Sequence, residues 1–282
     1  MTPSDTVFDR RANYVQRADY TIDQEWDRYT DVEHSTWQTL FKRQREILKG
    51  RSCAEFLAGI DELAMASDGI PDFRRLNDLL GRKTGWEIVA VPGLVPDEIF
   101  FDHLANRRFP STCFIRKPEE MDYLEEPDVF HDVFGHVPLL VNPIFADYMQ
   151  AYGKGGLKAK SLGNLHNLAR LYWYTVEFGL IRDDSGLRIY GAGILSSKGE
   201  SVYCLEDPSP NRIAFDLRRV MRTKYEIDKF QRSYFVIDSF QQLFDATVDP
   251  DFTPLYAELN HLPNIASDAR IVGDVTVPLD RA

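Results

Sequence analysis

Apolar residues recur every three to four positions along much of the chain, which is the spacing of one face of an α-helix. The first such stretch, residues 31–49, is followed by Gly50 as a C-cap candidate, and residues 52–55 form a capping-box sequence ahead of a second stretch. A further helix is expected to begin at about Asp128 and to carry the chemistry discussed below. The remaining predicted helices are residues 71–81, 97–106, 143–152, 164–178 and 211–221.

β-Structure is a minor component of the pattern. Short runs rich in β-branched residues predict strands at residues 87–91, 112–116, 187–195 and 271–277. Residues 153–163 look like a Gly/Lys loop, and residues 1–24 like a loosely held, polar arm. With no internal repeat and no linker, the pattern predicts one domain over residues 1–282 of the mainly α (α+β) class.

Composition narrows the possible partners and the compartment. The net charge of −11 and the pI of about 5.1 argue against nucleic-acid or anionic-membrane binding, because both need a basic face. No apolar run approaches the roughly 20 residues that cross a bilayer. Cys53, Cys113 and Cys204 are odd in number and form no CxxC motif, which favours reduced thiols in the cytoplasm.

Candidate chemistry is concentrated in His131, His136 and Glu177. Two imidazoles and one carboxylate are the ligand set of mononuclear Fe(II) oxygenases, which leave the opposite coordination positions open. Zinc peptidases instead place their two histidines four apart, with a glutamate base between them. Residues five apart diverge by about 140° on a regular helix, so we expect a loosening at Gly135 that turns His136 back.

Each of these residues also has a structural interpretation. Two histidines can simply cap a helix and fill a core, and Glu177 can be a solvated residue at the edge of its helix. Only six histidines occur in the chain, however, and two fall within six residues. Asp128, one helical turn before His131, is expected to accept its second ring N–H and fix the tautomer, as metal-binding histidines require.

The segments around these residues resemble the pterin-dependent aromatic amino acid hydroxylases, most closely bacterial members that act on phenylalanine. The matching words are EPDVFHDVFGHVPLL, LYWYTVEFGLI and YGAGILSSKGE, and the resemblance covers roughly residues 30–240. It implies a cytoplasmic enzyme that hydroxylates L-phenylalanine with Fe(II), tetrahydrobiopterin or another reduced pterin, and O₂ as cosubstrate. It also implies a bare, monomeric catalytic domain without the regulatory domain and tetramerisation helix of animal members.

The resemblance implies roles for individual positions. His131, His136 and Glu177 would bind the iron, and Tyr172 would lie between iron and pterin. Without the resemblance, Arg116 would be taken for a surface residue, and Pro127, Trp173 and Phe178 for core. The implied substrate-binding residues are Arg116, Pro127, Trp173, Phe178, Ser196 and Glu200. The implied pterin-binding residues are Gly93, Leu94, Val95, Phe100, Asp132 and Tyr172.

Three departures from the animal members concern the pockets. Asp132 replaces a glutamate, and we expect it to reach the pterin through water. Pro110 stands where animal members have a pterin-contacting histidine, and Leu124 where they have a threonine. The alternatives that stay open are hydroxylation of tryptophan or tyrosine, a zinc hydrolase, and a non-catalytic metal-binding or amino-acid-binding protein.

Overall fold

Helices form about half of the described part of the chain, and several begin where the sequence supplies a cap. In the computed structural model, residues 14–122, 124, 126–248 and 251–279 are described. Thr30 and Glu33 form a reciprocal capping box at the start of the first long helix. The α-helices of the first half are α1 (Asp31–Ile47), α2 (Ala54–Glu62), α3 (Phe73–Lys83), α4 (Asp97–Ala105) and α5 (Pro143–Ser161).

The second half contains shorter helices. They are α6 (Leu165–Tyr172), α7 (Ala192–Leu195), α8 (Glu200–Glu206), α9 (Leu217–Arg222), α10 (Phe240–Thr247) and α11 (Phe252–Leu259). Two segments are π-helices, Phe130–His136 and Trp173–Glu177, and the second directly continues α6. Short 3₁₀ helices cover Trp26–Arg28, Pro118–Glu120 and Val137–Val141.

The strands form two small sheets. β1 (Glu87–Val91) and β2 (Arg108–Thr112) pair in parallel, joined by α4. The second sheet has the order β4-β3-β6-β5. In it, β3 (Leu180–Asp183) and β4 (Gly186–Ile189) form an antiparallel hairpin, and β6 (Ser233–Ile237) runs parallel to both β3 and β5 (Asn211–Ala214). The predicted mainly α (α+β) class is confirmed.

The first π-helix is anchored in the core by its aromatic side chains. Phe130 and Phe134 are fully buried and stack on each other with 4.8 Å between ring centroids. Trp37 of α1 meets Phe130 edge-on and Phe56 of α2 meets Phe134 edge-on, so α1 and α2 pack against one side of the π-helix. The histidines of the same segment consequently face the other side, where the site forms.

One predicted boundary is wrong because packing between distant segments decides it. The Gly/Lys stretch 153–163 is mostly helix: α5 continues to Ser161. A Cβ atom on Gly153 would lie 2.3 Å from Ala105 N, and one on Gly156 would lie 2.0 Å from the Phe101 ring, so these glycines let α4 approach α5 closely.

Four other local predictions also differ from the structure. The second strand lies at Arg108–Thr112 rather than 112–116, in register with β1. Residues 211–221 divide into β5 and α9, because residues 211–214 pair with β6. Residues 187–195 likewise divide into β4 and α7. The capping box predicted at residues 52–55 is absent, since the N-cap residue of α2 is Cys53 and it makes no side-chain cap.

The N-terminal arm can be described only from residue 14. Ile22 is buried and its N–H donates to Ala90 O at 2.9 Å, and Asp19 pairs with Arg108 at 3.0 Å. Residues 19–22 therefore pack along β1 and β2, whereas residues 1–13 lie outside the described residues. Residues 271–277, a predicted strand, contribute a single bridge from Thr276 to Ile213. None of the described helices is both long and apolar enough to cross a membrane.

Candidate metal centre and its two cavities

The first π-helix brings His131 and His136 together. Their Nε2 atoms are 3.2 Å apart, although the residues are five positions apart in sequence. A π-helix hydrogen-bonds residue i to residue i+5, so residues at this spacing lie one above the other. The predicted convergence is therefore present, but the whole segment is rewound instead of loosening at Gly135. Gly135 is needed for another reason: a Cβ atom there would lie 2.9 Å from Ala192 O.

Glu177 completes the group from the end of the second π-helix. Its Oε1 lies 3.2 Å from His136 Nε2 and its Oε2 lies 3.6 Å from His131 Nε2. Two donors at right angles on an ion about 2.1 Å away are about 3.0 Å apart, so this spacing suits three ligands on one face of a metal. These three residues are the one group of described His, Cys, Asp or Glu residues that could hold a metal.

The protonation of the site also suits a metal. Burial lowers the pKa of His131 to about 4, so its ring is neutral at pH 7. Burial opposes ionisation of Glu177, but the two imidazoles and the Gly193 N–H hold its pKa below the usual range. The site therefore presents a neutral His131 imidazole and a carboxylate, which are forms that bind a divalent cation.

A serine, and not the predicted aspartate, orients His131. Ser196 Oγ lies 2.9 Å from His131 Nδ1 and donates its own proton to Ala192 O at 2.8 Å. The hydroxyl must then accept from Nδ1–H, which leaves the lone pair of His131 on Nε2, toward the metal position. The prediction that Asp128 accepts the ring N–H of His131 is wrong: Asp128 accepts the backbone N–H of His131 instead.

Asp128 is occupied by Arg116. The guanidinium donates from Nε and Nη2 to the two carboxylate oxygens, each at 2.9 Å, and the Arg116 backbone N–H adds a third bond. Asp128 is fully buried, and although burial opposes its ionisation, Arg116 holds its pKa below the usual range. A buried carboxylate needs such charged donors. The pair fixes the direction of Arg116, whose Nη1 side remains available to a ligand.

One side of the metal position opens into a cavity of about 1060 Å³. Its walls combine aromatic rings with polar groups near the ligands. Trp173 and Phe178 lie 4.8 Å apart by ring centroid and form one wall. All the residues predicted to bind substrate line this cavity: Arg116, Pro127, Trp173, Phe178, Ser196 and Glu200. Leu124, one of the departures, lines it as well.

The other side opens into a smaller cavity of about 250 Å³. Phe100 meets Tyr172 edge-on at 5.8 Å, and the Tyr172 ring stacks over His136 at 6.3 Å. All the residues predicted to bind the pterin line this cavity: Gly93, Leu94, Val95, Phe100, Asp132 and Tyr172. Pro110, the residue that removes a hydrogen-bond donor, also lines it.

Two buried carboxyls near the site have unusual protonation. Burial raises the pKa of Asp132 to about 7, while its Oδ2 accepts from the backbone and hydroxyl of Thr112. Burial likewise raises the pKa of Glu200 to about 7. Glu200 Oε1 accepts hydrogen bonds from the Gln231 backbone N–H and from the Tyr234 hydroxyl, so this oxygen is bound by buried groups of the protein. A role for Glu200 toward a substrate stays a prediction.

Several residues that shape the site were not predicted. Thr112 anchors Asp132, Tyr225 stacks on Trp173 at 4.3 Å, and Gln231 accepts from the Trp173 indole at 2.9 Å. Tyr225 and Gln231 belong to the segment between α9 and β6, more than 50 residues beyond Trp173. Hydrophobic periodicity carries no signal for such contacts, because they join positions on different elements.

Comparisons with known proteins agree with this geometry. The family described as biopterin-dependent aromatic amino acid hydroxylase matches residues 4–249. The phenylalanine-4-hydroxylase of Ralstonia nicotianae is 64% identical over 261 residues, which cover 93% of this chain and 83% of that protein. The iron- and phenylalanine-bound crystal structure of Chromobacterium violaceum phenylalanine hydroxylase is 56% identical, with a TM-score of 0.91 over 97% of this chain and 100% of that one. The cobalt-bound structure of the same enzyme gives a TM-score of 0.93 over 98% and 100% of the two chains, at 56% identity.

Proposed function

Because the chain belongs to the biopterin-dependent aromatic amino acid hydroxylases, we propose that it converts L-phenylalanine to L-tyrosine with Fe(II), O₂ and a tetrahydropterin. One observation carries the proposal: the three candidate ligands lie where the two cavities meet. His131 and Glu177, together with Leu94 and Pro127, line both cavities. A substrate and a pterin can therefore approach one metal from two sides.

His131, His136 and Glu177 would hold the iron. When bound, Fe(II) and the reduced pterin supply the activation of O₂ that no side chain provides. The protein contributes the ligand geometry and the neutral state of the His131 imidazole. Ser196 keeps the proton of His131 on Nδ1, away from the metal position.

The larger cavity is assigned to L-phenylalanine. The free side of the Arg116 guanidinium would bind the substrate carboxylate, and the pair with Asp128 holds the guanidinium still while it does so. Trp173, Phe178 and Pro127 would confine the ring. Fixing both ends of the substrate points its para carbon at the metal, which is a positioning contribution to catalysis.

The smaller cavity is assigned to the pterin. Phe100 offers a ring face, and the backbone of residues 93–95 offers donors and acceptors to a flat heterocycle. Asp132 is held by Thr112 through one oxygen, which leaves Oδ1 for the pterin or for a bridging water. The segment ending at Val95 leads directly into α4, so the loop and Phe100 are positioned together.

A zinc hydrolase is disfavoured by the same geometry. Hydrolytic sites of the zinc-peptidase type use a glutamate base beside the first histidine on an α-helix. Here the corresponding position is Asp132, whose Oδ2 is bound by Thr112, and the histidines lie on a π-helix.

The test is an anaerobic reconstitution with Fe(II), followed by addition of O₂, tetrahydropterin and L-phenylalanine. We expect tyrosine in proportion to the pterin oxidised, measured by chromatography. Pterin oxidation without tyrosine formation would indicate that the substrate is another aromatic amino acid, and L-tryptophan would be tested next. Absence of both products with iron bound would overturn the proposal.

We also infer that the enzyme is a cytoplasmic monomer. All three cysteines are buried, which fits the thiols of a protein in a reducing compartment. The metal centre and both cavities are built from residues of a single chain.

A further inference from the structure

Gln231 lies behind the aromatic wall of the larger cavity and does not line the cavity itself. It is 3% exposed, and its Oε1 accepts the indole N–H of Trp173 at 2.9 Å. Trp173 lines the cavity, so the Gln231 side chain can act on a ligand through the indole, and its Nε2 also holds the segment of Lys229, which lines the same cavity. The two residues are 58 positions apart, and their contact joins the second π-helix to the segment before β6.

The amide of Gln231 can point only one way. Its Nε2 donates to two backbone carbonyls, Glu226 O at 3.0 Å and Lys229 O at 3.3 Å. A flipped amide would set its oxygen against both carbonyls and its NH₂ against the indole N–H, which would leave like groups facing each other. The backbone of residues 226–229 therefore fixes the acceptor presented to Trp173.

The indole has few other restraints on its rotation. Tyr225 stacks on one face with centroids 4.3 Å apart and planes 15° apart, which holds the plane but lets the ring slide. Phe178 touches the cavity side at a tilt of 36°. Among the residues that the structure describes, Gln231 makes the one hydrogen bond to the Trp173 side chain, so this bond fixes the position of the indole edge.

We propose that Gln231 is a positioning residue that determines substrate specificity by fixing the Trp173 indole, and with it the width of the slot that receives the substrate ring. This inference rests on the proposed function for the identity of the ligand. With the indole fixed, the slot fits a benzene ring. With the indole free to slide, phenylalanine is held less firmly and the larger ring of tryptophan is excluded less strictly.

The first test uses the zinc-loaded protein, which is diamagnetic and does not turn over. With ¹⁵N-labelled tryptophan the chain gives four indole signals, and the Trp173→Phe variant identifies the one from Trp173. The other three indoles donate to backbone carbonyls and serve as internal controls. In Gln231→Met we expect the Trp173 signal alone to move upfield, and the Kd for L-phenylalanine, followed on that signal, to rise about tenfold.

Two further variants separate positioning from stability. Gln231→Glu keeps an acceptor for the indole but loses both donors to the loop, so we expect a lower Tm with a Kd close to that of the wild type. Gln24→Met is the matched control: its amide also joins two segments, through Pro71 O and the Phe73 N–H, and it lines neither cavity. It should leave the Trp173 signal and the Kd unchanged.

A double-mutant cycle then tests the route of the effect. The Kd is measured by isothermal titration calorimetry in all four proteins of the cycle, because the Trp173→Phe background lacks the indole signal. In that background, Gln231→Met should no longer change the Kd, because the indole through which it acts is gone. In the iron enzyme, Gln231→Met should raise KM for L-phenylalanine by a larger factor than it lowers kcat. It should also lower the ratio of kcat/KM for phenylalanine to kcat/KM for tryptophan.

The outcomes distinguish this inference from the proposed function. A moved Trp173 signal with unchanged Kd would overturn the inference, as would an equal effect in both backgrounds. Absence of any response of the Trp173 signal to L-phenylalanine in the wild type would also overturn it. If the wild-type iron enzyme formed no tyrosine, the proposed function would fail, while the Kd and the cycle would still decide the role of Gln231.

Discussion

At the scale of single residues, the site depends on groups that hold the functional side chains in one state. Ser196 fixes the tautomer of His131, Asp128 fixes the direction of Arg116, and Thr112 holds one oxygen of Asp132. Ser196, Asp128 and Thr112 are all buried, so replacing the functional residue that each one binds would leave a buried polar group without a partner. Substitutions at the functional residues should therefore lower stability as well as binding, and the two effects need separate measurements.

Glu177→Gln should keep the fold and lose the metal. A neutral amide is a poor ligand for Fe(II), and we expect iron affinity to fall at least about 100-fold, since outer-shell changes alone cost 10–100-fold. Iron per chain after reconstitution and desalting measures the effect, with circular dichroism as the check on folding. Glu258→Gln, at an exposed pair with Arg218, is the control and should bind iron normally. Near-normal iron in the Glu177 variant would remove Glu177 from the ligand set.

Arg116→Lys should weaken substrate binding and also lower stability. A lysine cannot span both oxygens of Asp128 and still present a fork to a carboxylate. We expect KM for L-phenylalanine to rise about 10- to 100-fold, as for the loss of a charge-assisted hydrogen bond. Steady-state kinetics and thermal unfolding separate the two effects. Arg218→Lys, at the surface, should change neither, and an unchanged KM in Arg116→Lys would show that another group binds the carboxylate.

Glu200 should make the stability of the protein depend on pH. Burial raises its pKa to about 7 from 4.5, so the folded state binds a proton that the unfolded state has released. Protonation of Glu200 therefore contributes fully to the free energy of unfolding below pH 4.5, and this contribution is lost as the pH rises through 7. Glu200→Gln removes this pH dependence, and at pH 8 we expect the variant to be more stable than the wild type by about 2 kcal/mol. Urea unfolding at pH 5 and pH 8 measures the difference, and equal gaps at both pH values would refute the assignment.

At the scale of elements, the two π-helices explain why residues with unusual spacing can share a site. The first places two side chains five apart on one face, and the second ends on the third ligand. The aromatic residues of the first lie against α1 and α2, and residues 174–176 of the second are buried. Tertiary packing, and not local propensity, supports this less common winding.

Two adjacent glycines of α5 should respond to alanine with opposite signs. A Cβ atom on Gly155 meets nothing within 4 Å, so Gly155→Ala should stabilise the helix by about 0.5–1 kcal/mol. A Cβ atom on Gly156 would lie 2.0 Å from the Phe101 ring, and Gly156→Ala should cost about 1–3 kcal/mol by overpacking against α4. Denaturant unfolding of the pair measures both, each variant serving as the control for the other. The same sign for both would contradict the close packing of α4 on α5.

Sequence alone predicted the elements whose signal is local. The bounds of α1 and β1 follow from a cap, a periodic apolar face and a β-branched run. The local sequence of residues 153–163 predicts a loop because glycine disfavours helix, whereas the advantage of Gly156 lies in its contact with Phe101. The strand character of residues 211–214 depends on pairing with β6, which no local pattern encodes.

The candidate site divides in the same way. Its candidate metal ligands and most residues of the cavity walls lie in long, distinctive sequence segments, and those segments made these residues predictable. The partners of those residues could not. Asp128 is one turn from His131 in sequence, but its carboxylate is bound by Arg116, and Ser196 reaches His131 from α7. Both choices are made by three-dimensional proximity among buried groups.

At the scale of the whole molecule, one chain carries both cavities and the group of ligands between them. Residues 93–95 connect β1 to α4 on one side, and the segment from α7 to β6 encloses the other. The two cavities share Leu94, Pro127, His131 and Glu177. Ligands bound in the two cavities are therefore neighbours across the metal position.

We expect the isolated protein to be an active monomer. Analytical ultracentrifugation at micromolar concentration should give a species of 32.5 kDa, with activity per chain independent of dilution. A larger species whose activity per chain falls on dilution would show that a second copy completes the site.

The five-residue separation of His131 and His136 is one codon away from the four-residue separation of another kind of metal site. Loss of one codon between them would leave the histidines four apart, the spacing at which an ordinary α-helix aligns them and at which zinc peptidases bind their ion. Gain of one codon in such a helix would give the separation seen here, and burial of the flanking aromatic residues would support the wider turn. A metal-binding helix can thus move between two ligand spacings by a single insertion or deletion, without passing through a series of substitutions.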